Sequence, residues 1–356
     1  ISGNRCSKPL GKKKIEMPDM VNYKYQKLRA MEGLGRGNGS RGTVGIPFGL
    51  NMYENLPFWY TLFTELNFKV ALSPESSRGI YLKGQRTIPS DTVCYPAKLL
   101  HGHVEALVEM GVDAIWYPCM SYNNDEGIGD NHFNCPVVAY YPELLAANVP
   151  ALQQVKFLNP YVGLWRRKDC AKRLSALFAQ EFSIPKKETA AAVKAAYTAY
   201  DAYVEDIHKT GDAYIEKARA EGRPILVMAG RPYHIDPEIN HGINDLITSF
   251  GFVLITEDCL SYRMGYEPRT VLNQWTFQSR MYNAARYITT QKDMQLVQLV
   301  SFGCGTDAIT TDELRSILES NGKLYTQLKI DDISNLGAIR IRIRSLMAAM
   351  DARKEA

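Results

Sequence analysis

The sequence predicts an α/β fold: two tandem parallel-sheet units of the Rossmann or flavodoxin kind, joined by a helical segment. Three observations predict it. Short apolar runs alternate with amphipathic stretches from Thr43 to Asn148. An Ala-rich, charge-spotted stretch without a strong breaker before Gly211 follows. The alternation then restarts at Arg223. Strand–helix–strand–helix order is the pattern of a parallel, doubly wound sheet. A chain of 356 residues has the length for two such units.

Residues 1–42 combine Lys, Arg and Gly and read as a solvated N-terminal arm with one short helix near 23–31. In the first unit, 43–165, strands are expected at 43–48 (TVGIPF), 68–73 (FKVALS), 112–118 (VDAIWYP) and 136–141, with helices at 55–67, 96–110 and up to Asn148. The connector, 166–222, contains Ala, Lys and Glu, which favour helix, and Tyr residues three or four apart. It predicts one long helix or a pair. In the second unit, 223–356, strands are expected at 223–230, 252–258, 294–302 and 323–330. Helices are expected at 240–250, 273–287 and 311–320, the last with Thr310 as cap and Glu313 three residues on. In the tail from Ser334, Arg340, Arg342 and Arg344 alternate with Ile as in a strand, but Leu, Ala and Met around them favour helix.

The net charge of +4, without a long basic run, implies no nucleic acid and no anionic membrane partner. No stretch of about 18 apolar residues is present, so no membrane span is expected. No signal peptide is visible, and Ile1 is not an initiator Met, which leaves room for an upstream domain or targeting segment. Seven cysteines, an odd number in a chain this long, do not read as a disulfide framework. Reduced thiols in the cytoplasm, some of them metal ligands, fit better.

The cysteines fall at informative places. Cys94 precedes a helix that opens with Tyr95-Pro96, where free N–H groups and the positive helix end favour a thiolate. Cys119 follows the strand that ends in Tyr117-Pro118. Cys135 is placed at the start of the next strand, after a polar loop. Cys304 lies between Gly303 and Gly305, which leave room beside its sulfur. Ligands of open α/β sheets bind outside the carboxyl ends of the strands, so thiols from both units can meet in one cleft. Converging thiolates select zinc or iron–sulfur clusters. The chain has no C-x-x-C pair, which argues against a zinc ribbon or a ferredoxin run. Cys170 and Cys259 read as small buried hydrophobes.

Several strings carry a resemblance: SGNRC (2–6), GIPFGLNMYENLPFW (45–59), PSDTVCYPAKLLHGHV (89–104), YPC (117–119), NCPVV (134–138), AGRPYHIDPEINHGI (229–243) and SFGCGTDAITTDE (301–313). They resemble the carboxy-terminal part of acyl-CoA dehydratase activase-related proteins, which contains a domain of unknown function and a region similar to 2-hydroxyglutaryl-CoA dehydratase and benzoyl-CoA reductase components. The resemblance implies an iron–sulfur cofactor, expected as a [4Fe-4S] cluster on three cysteines, with Cys94, Cys119 and Cys304 in those positions and Cys135 as a fourth candidate. A double-cubane cluster on six cysteines, adding Cys6 and Cys259, is the variant. The partners implied are an ATP-hydrolysing activase domain or subunit, an acyl-CoA substrate and, as an open alternative, a second copy of the chain. The activase phosphate-binding motif is absent from this sequence, so ATP hydrolysis is not expected of it.

Polar candidates stand beside the cysteines. Asn51, Tyr53 and Glu54 follow the first strand; Glu54 is a candidate catalytic residue, against a reading as cap and surface charge. Arg231, His234, Asp236, Glu238 and His241 follow the strand at 223–230. His234 and His241 are candidate general acids or bases, against a role in loop packing. His101 and His103, two apart on a helix, face different ways and do not read as a metal pair. The expected function is a redox component that takes low-potential electrons from an activase for acyl-CoA dehydration or reduction. The alternatives are a double-cubane reductase, a non-catalytic docking or regulatory module, and a zinc-stabilised scaffold.

Overall fold

In the computed structural model the described residues are 16–35, 37–301, 303–331 and 335–355. Cys6 and the string at 2–6 lie outside them. Two four-stranded sheets, all parallel, are flanked by helices: an α/β fold with two parallel-sheet units.

The first sheet contains β1 (Thr43–Ile46), β2 (Lys69–Leu72), β3 (Ala114–Trp116) and β4 (Lys156–Leu158) in the order β2-β1-β3-β4. The second contains β5 (Ile225–Ala229), β6 (Val253–Thr256), β7 (Met294–Ser301) and β8 (Tyr325–Ile330) in the order β6-β5-β7-β8. The two orders are the same within each unit. In each, the chain reverses direction between its first and third strand, so the crevice for a ligand opens beyond β1 and β3, and beyond β5 and β7.

The helices are α1 (Met20–Arg29), α2 (Met52–Glu65), α3 (Arg78–Gly84), α4 (Tyr95–Glu109), α5 (Pro136–Asn148), α6 (Arg167–Phe182), α7 (Lys186–Ala220), α8 (Pro237–Asn240), α9 (Ile243–Ser249), α10 (Thr276–Thr289), α11 (Gly305–Glu319) and α12 (Leu336–Glu355). An aromatic core joins α2, β3 and α6: Trp59 and Trp116 have ring centroids 5.1 Å apart, and Phe63 and Phe178 stack at 5.6 Å. Each such buried side chain stabilises the fold by roughly 1.5–3 kcal/mol. The connector is a pair of helices, α6 and α7. The 35 residues of α7 bury a stripe that includes Tyr197, Tyr200, Tyr203, Ile207 and Ile215. Gly211 lies on that stripe because a Cβ there would stand 2.8 Å from the Cys259 sulfur.

Four sequence expectations are corrected. Residues 136–141 are not a strand: Cys135 caps α5 and Pro136 occupies its first turn, a position suited to proline. The helix expected from Thr311 begins at Gly305, capped by Cys304. The helix expected over 240–250 is broken into α8 and α9 by left-handed backbone at His241 and Gly242. Part of the arm is packed and not solvated: α1 buries Met20, Val21, Tyr25 and Leu28 and touches both units. Its Lys24 pairs with Asp258 at 2.5 Å, while its Arg29 donates to the Ser73 carbonyl at 3.0 Å.

The room at Gly303 is occupied by protein. A Cβ there would lie 2.7 Å from the Thr92 carbonyl oxygen, whereas none at Gly305 would meet an atom within 4 Å. Gly303 thus lets the Cys304 loop approach the Cys94 loop. Gly303→Ala is expected to cost about 1–3 kcal/mol through overpacking, and Gly305→Ala to be neutral or stabilising by up to about 1 kcal/mol. Urea midpoints of the two variants check this; equal midpoints would show that the loops yield freely.

Candidate functional site

The three cysteines Cys94, Cys135 and Cys304 are the N-caps of α4, α5 and α11. Each is therefore fixed where a helix presents its unpaired N–H groups and positive end. Their thiols lie close enough to perturb one another: Cys135 and Cys304 act on Cys94, and Cys304 on Cys135. All three also act on the buried Tyr233 hydroxyl. The Cys135 sulfur accepts from the Val138 N–H at 3.4 Å. Cys119 is not among the groups that act on Cys94 or Cys135, although it shares the Tyr117 hydroxyl with both. Its backbone pairs with Tyr161, and its thiol faces Glu143 of α5. Cys259, behind Gly211, has Asp258 and Lys24 around it, and Cys170 is buried beside Tyr197.

A buried cation stands at the thiol group. Arg231, from the loop after β5, pairs with Asp307 at 2.5 Å, and both side chains are almost fully enclosed. The same guanidinium donates to the Cys304 sulfur at 3.2 Å and to Thr306 Oγ1 at 3.1 Å. Asp307 also accepts from the Ser301 N–H at 2.9 Å. Burial outweighs the helix ends at Cys94, whose thiol is pushed up to about 12 with the Cys135 sulfur beside it. Burial likewise raises Cys135, and lifts Cys119 to about 11. The thiolate expected at Cys94 is thus not its resting form; a bound metal centre reverses that balance, because it deprotonates a coordinating thiol.

Among the described residues no group of three or more His, Cys, Asp or Glu side chains is placed to hold a metal ion. The Tyr117 hydroxyl, coupled to Cys94, Cys119 and Cys135, is buried without a hydrogen-bond partner. An acceptor such as a cluster sulfide or a thiolate would satisfy it.

The other candidates are distributed around this group. His234 accepts from the Arg231 N–H through Nδ1 at 3.1 Å, and its Nε2 is buried without a partner. Burial and Arg231 hold its pKa well below the ordinary range, so it is neutral with the proton on Nε2. His241 donates through Nε2 to the Asp331 carbonyl at 2.7 Å and stacks on Tyr95 of the first unit. Glu238 accepts from the Tyr95 hydroxyl at 2.8 Å. Asp236 accepts from Tyr53 and Ser76 of the first unit and from the Glu238 N–H. The segment 236–241 is therefore a polar clasp between the units. His101 binds Thr87 and Tyr141, and His103 binds Ser73 and Ser76; the two histidines serve different networks. Arg340, Arg342 and Arg344 are exposed on α12.

Glu54 belongs to a second feature, a cavity of about 800 Å³ between the units. Its carboxylate shares Arg280 with Glu126. Pro232 and Ile235 line the cavity, while the adjoining Arg231 reaches Cys304, so one turn of chain separates the cavity from the thiols. Lys24 and Asp258 line it too. Beside them, burial and the Asp258 charge push the Glu257 carboxyl up to about 8, while Lys24 holds Asp258 low. Sequence reasoning missed Arg280, Glu126, Asp307, Glu257 and Lys24, which come from separate segments. The only hint was the acidic pair Glu257-Asp258 directly after a strand.

Two four-stranded parallel sheets flanked by helices define an α/β protein with two parallel-sheet units, and the candidate residues lie beyond the carboxyl ends of their strands. The chain belongs to the family described as CoA enzyme activase uncharacterised domain (DUF2229), whose sequence model matches residues 43–260. No curated protein matches it significantly. Among the described residues no helix is long and apolar enough to cross a membrane.

Two outcomes follow from this geometry. Arg231→Met leaves Asp307 buried without its cation, at an expected cost of about 3–5 kcal/mol, and Arg231→Met/Asp307→Leu should recover much of it. Urea unfolding of the single and double variants measures both; a loss under about 1 kcal/mol in the single variant would mean that Asp307 does not depend on Arg231 for its burial. Glu257 binds its proton more tightly folded than unfolded, so its contribution is full below the ordinary carboxyl range and is lost as pH rises towards about 8. Glu257→Gln should abolish a downward slope of up to about 1.4 kcal/mol per pH unit between roughly pH 5 and 8, read from unfolding at stepped pH.

Proposed function

We propose that the chain is an iron–sulfur redox component related to the 2-hydroxyacyl-CoA dehydratases, with Cys94, Cys135 and Cys304 as the thiols that hold a [4Fe-4S] cluster. An ATP-hydrolysing activase would supply its low-potential electrons, for dehydration or reduction of an acyl-CoA. The observation that supports this reading is the meeting of three thiols from both units at three helix N-termini, with one buried guanidinium among them. A cysteine-held cluster supplies one-electron chemistry. The chain's own residues do the rest. The helix ends and Arg231 favour negative charge on the sulfurs. Arg231, held by Asp307, sets the electrostatic surroundings of Cys304. Tyr117 offers a hydroxyl donor. Hydrogen bonds and burial of this kind tune a reduction potential. Three thiols leave one corner of a cubane for a ligand from outside the set.

The test is iron and acid-labile sulfide on protein purified without oxygen, with the visible spectrum. About four irons per chain are expected, and about eight would point to a double cubane. Cys94→Ser, Cys135→Ser and Cys304→Ser should each lose the absorption, and Cys119→Ser should keep it. Loss in Cys119→Ser with retention in Cys135→Ser would restore the ligand set that the resemblance implies. Iron-free protein after anaerobic reconstitution would leave a docking or regulatory module in front.

A further inference from the structure

The cavity between the units has a chemistry of its own. Its size is that of a site for a small organic molecule. Tyr53, Trp165, Tyr200, Tyr203 and Tyr262 give it an aromatic lining. Six carboxylates line it against four Lys and Arg side chains. Each of those four cations already has an anionic partner: Lys24 pairs with Asp258, Arg167 with Asp201, Arg263 with Asp212, and Arg280 with Glu54 and Glu126.

The last pairing is unbalanced. One guanidinium, enclosed by the fold, serves two carboxylates. Its Nη2 reaches both, and its Nε donates to Glu126 at 2.8 Å. The second oxygen of Glu54 accepts from Asn123 Nδ2 at 3.3 Å, so Glu54 is held on both sides. Glu126 takes both of its Arg280 contacts on Oε1 and keeps 29% of its side chain exposed, so it shares a single cation with Glu54 and stays open to a guest. An anionic guest, such as the diphosphate end of a CoA thioester, would have to displace a carboxylate from Lys24 or Arg280, which is unfavourable because both cations are buried. A cation would meet an under-compensated carboxylate and the π surfaces that attract ammonium groups.

We propose that this cavity is a binding site for a small organic cation, a molecule with an ammonium group that pairs with Glu126 and an apolar body that packs on the tyrosines of α7. The inference stands independently of the cluster reading. Calorimetric titration of the full chain with 2-phenylethylammonium and, separately, with 3-phenylpropionate tests it, the two probes being matched in size and opposite in charge. The amine should bind at least about tenfold tighter than the acid, a difference of about 1.4 kcal/mol. Glu126→Gln should remove most of that preference. Equal or tighter binding of the acid, an unchanged preference in Glu126→Gln, or no heat from the amine up to about 10 mM would each overturn the proposal. The comparison of the two probes on the parent chain needs no variant to fold.

Discussion

A guanidinium cannot be buried alone, and the architecture of this protein is organised around that constraint. Arg231 is enclosed where the two units meet, and its charge is tolerable only because Asp307 is equally enclosed and directed at it. Arg231 comes from the loop after β5 and Asp307 from the first turn of α11 after β7, flanking the point where the strand order of the second sheet reverses. Their pairing therefore fixes the two loops against each other. The donors left over on Arg231 go to Thr306 and to the Cys304 sulfur. Packing, charge balance and the placing of a reactive sulfur are thus one event at this residue.

The first unit answers with the same topology. The first turn of α2, after β1, and the polar stretch 123–134, after β3, bring Tyr53, Glu54 and the loop side chains to the facing side. That stretch is stitched to the second unit by backbone bonds from Phe133 to Gln274 and from Asp130 to Asn273. With the clasp at 236–241, the α1 strap and α7 along the side, the units are joined by hydrogen bonds and ion pairs as much as by apolar contact. Such polar joints specify one arrangement, because each buried partner is costly to leave unmatched. The cavity persists between the units because the joints surround it.

The fold was legible because β-strands and helices write their period into the chain. The runs at 43–48, 68–73 and 223–230 could be read directly, and the Tyr spacing of the connector pointed to the buried face of α7. The errors have physical causes. Val137 and Val138 have strand propensity, but Cys135-Pro136 is a helix start, and local propensity yields to packing. Lys156–Leu158 is too short to show a period. Which thiols meet was less legible than where each one sits. Cys94 and Cys304 could be placed at loop ends from their neighbours. That Cys135 caps α5 and stands within reach of the Cys94 and Cys304 charges depends on how α5 is set against the second unit, and no spacing encodes that. Arg280 with Glu54 and Glu126 is a constellation of three distant segments, which only the folded chain assembles.

The placing of the three N-cap thiols also bears on biosynthesis. Cys94 and Cys135 belong to the half of the chain that leaves the ribosome early, and Cys304 to the half that leaves late. A nascent chain that has completed only its first unit displays two of the sulfurs without their third companion and without Arg231. The set is closed only when the β7–α11 turn has emerged and docked. A ligand that needed all three sulfurs could therefore bind only after both units had been translated.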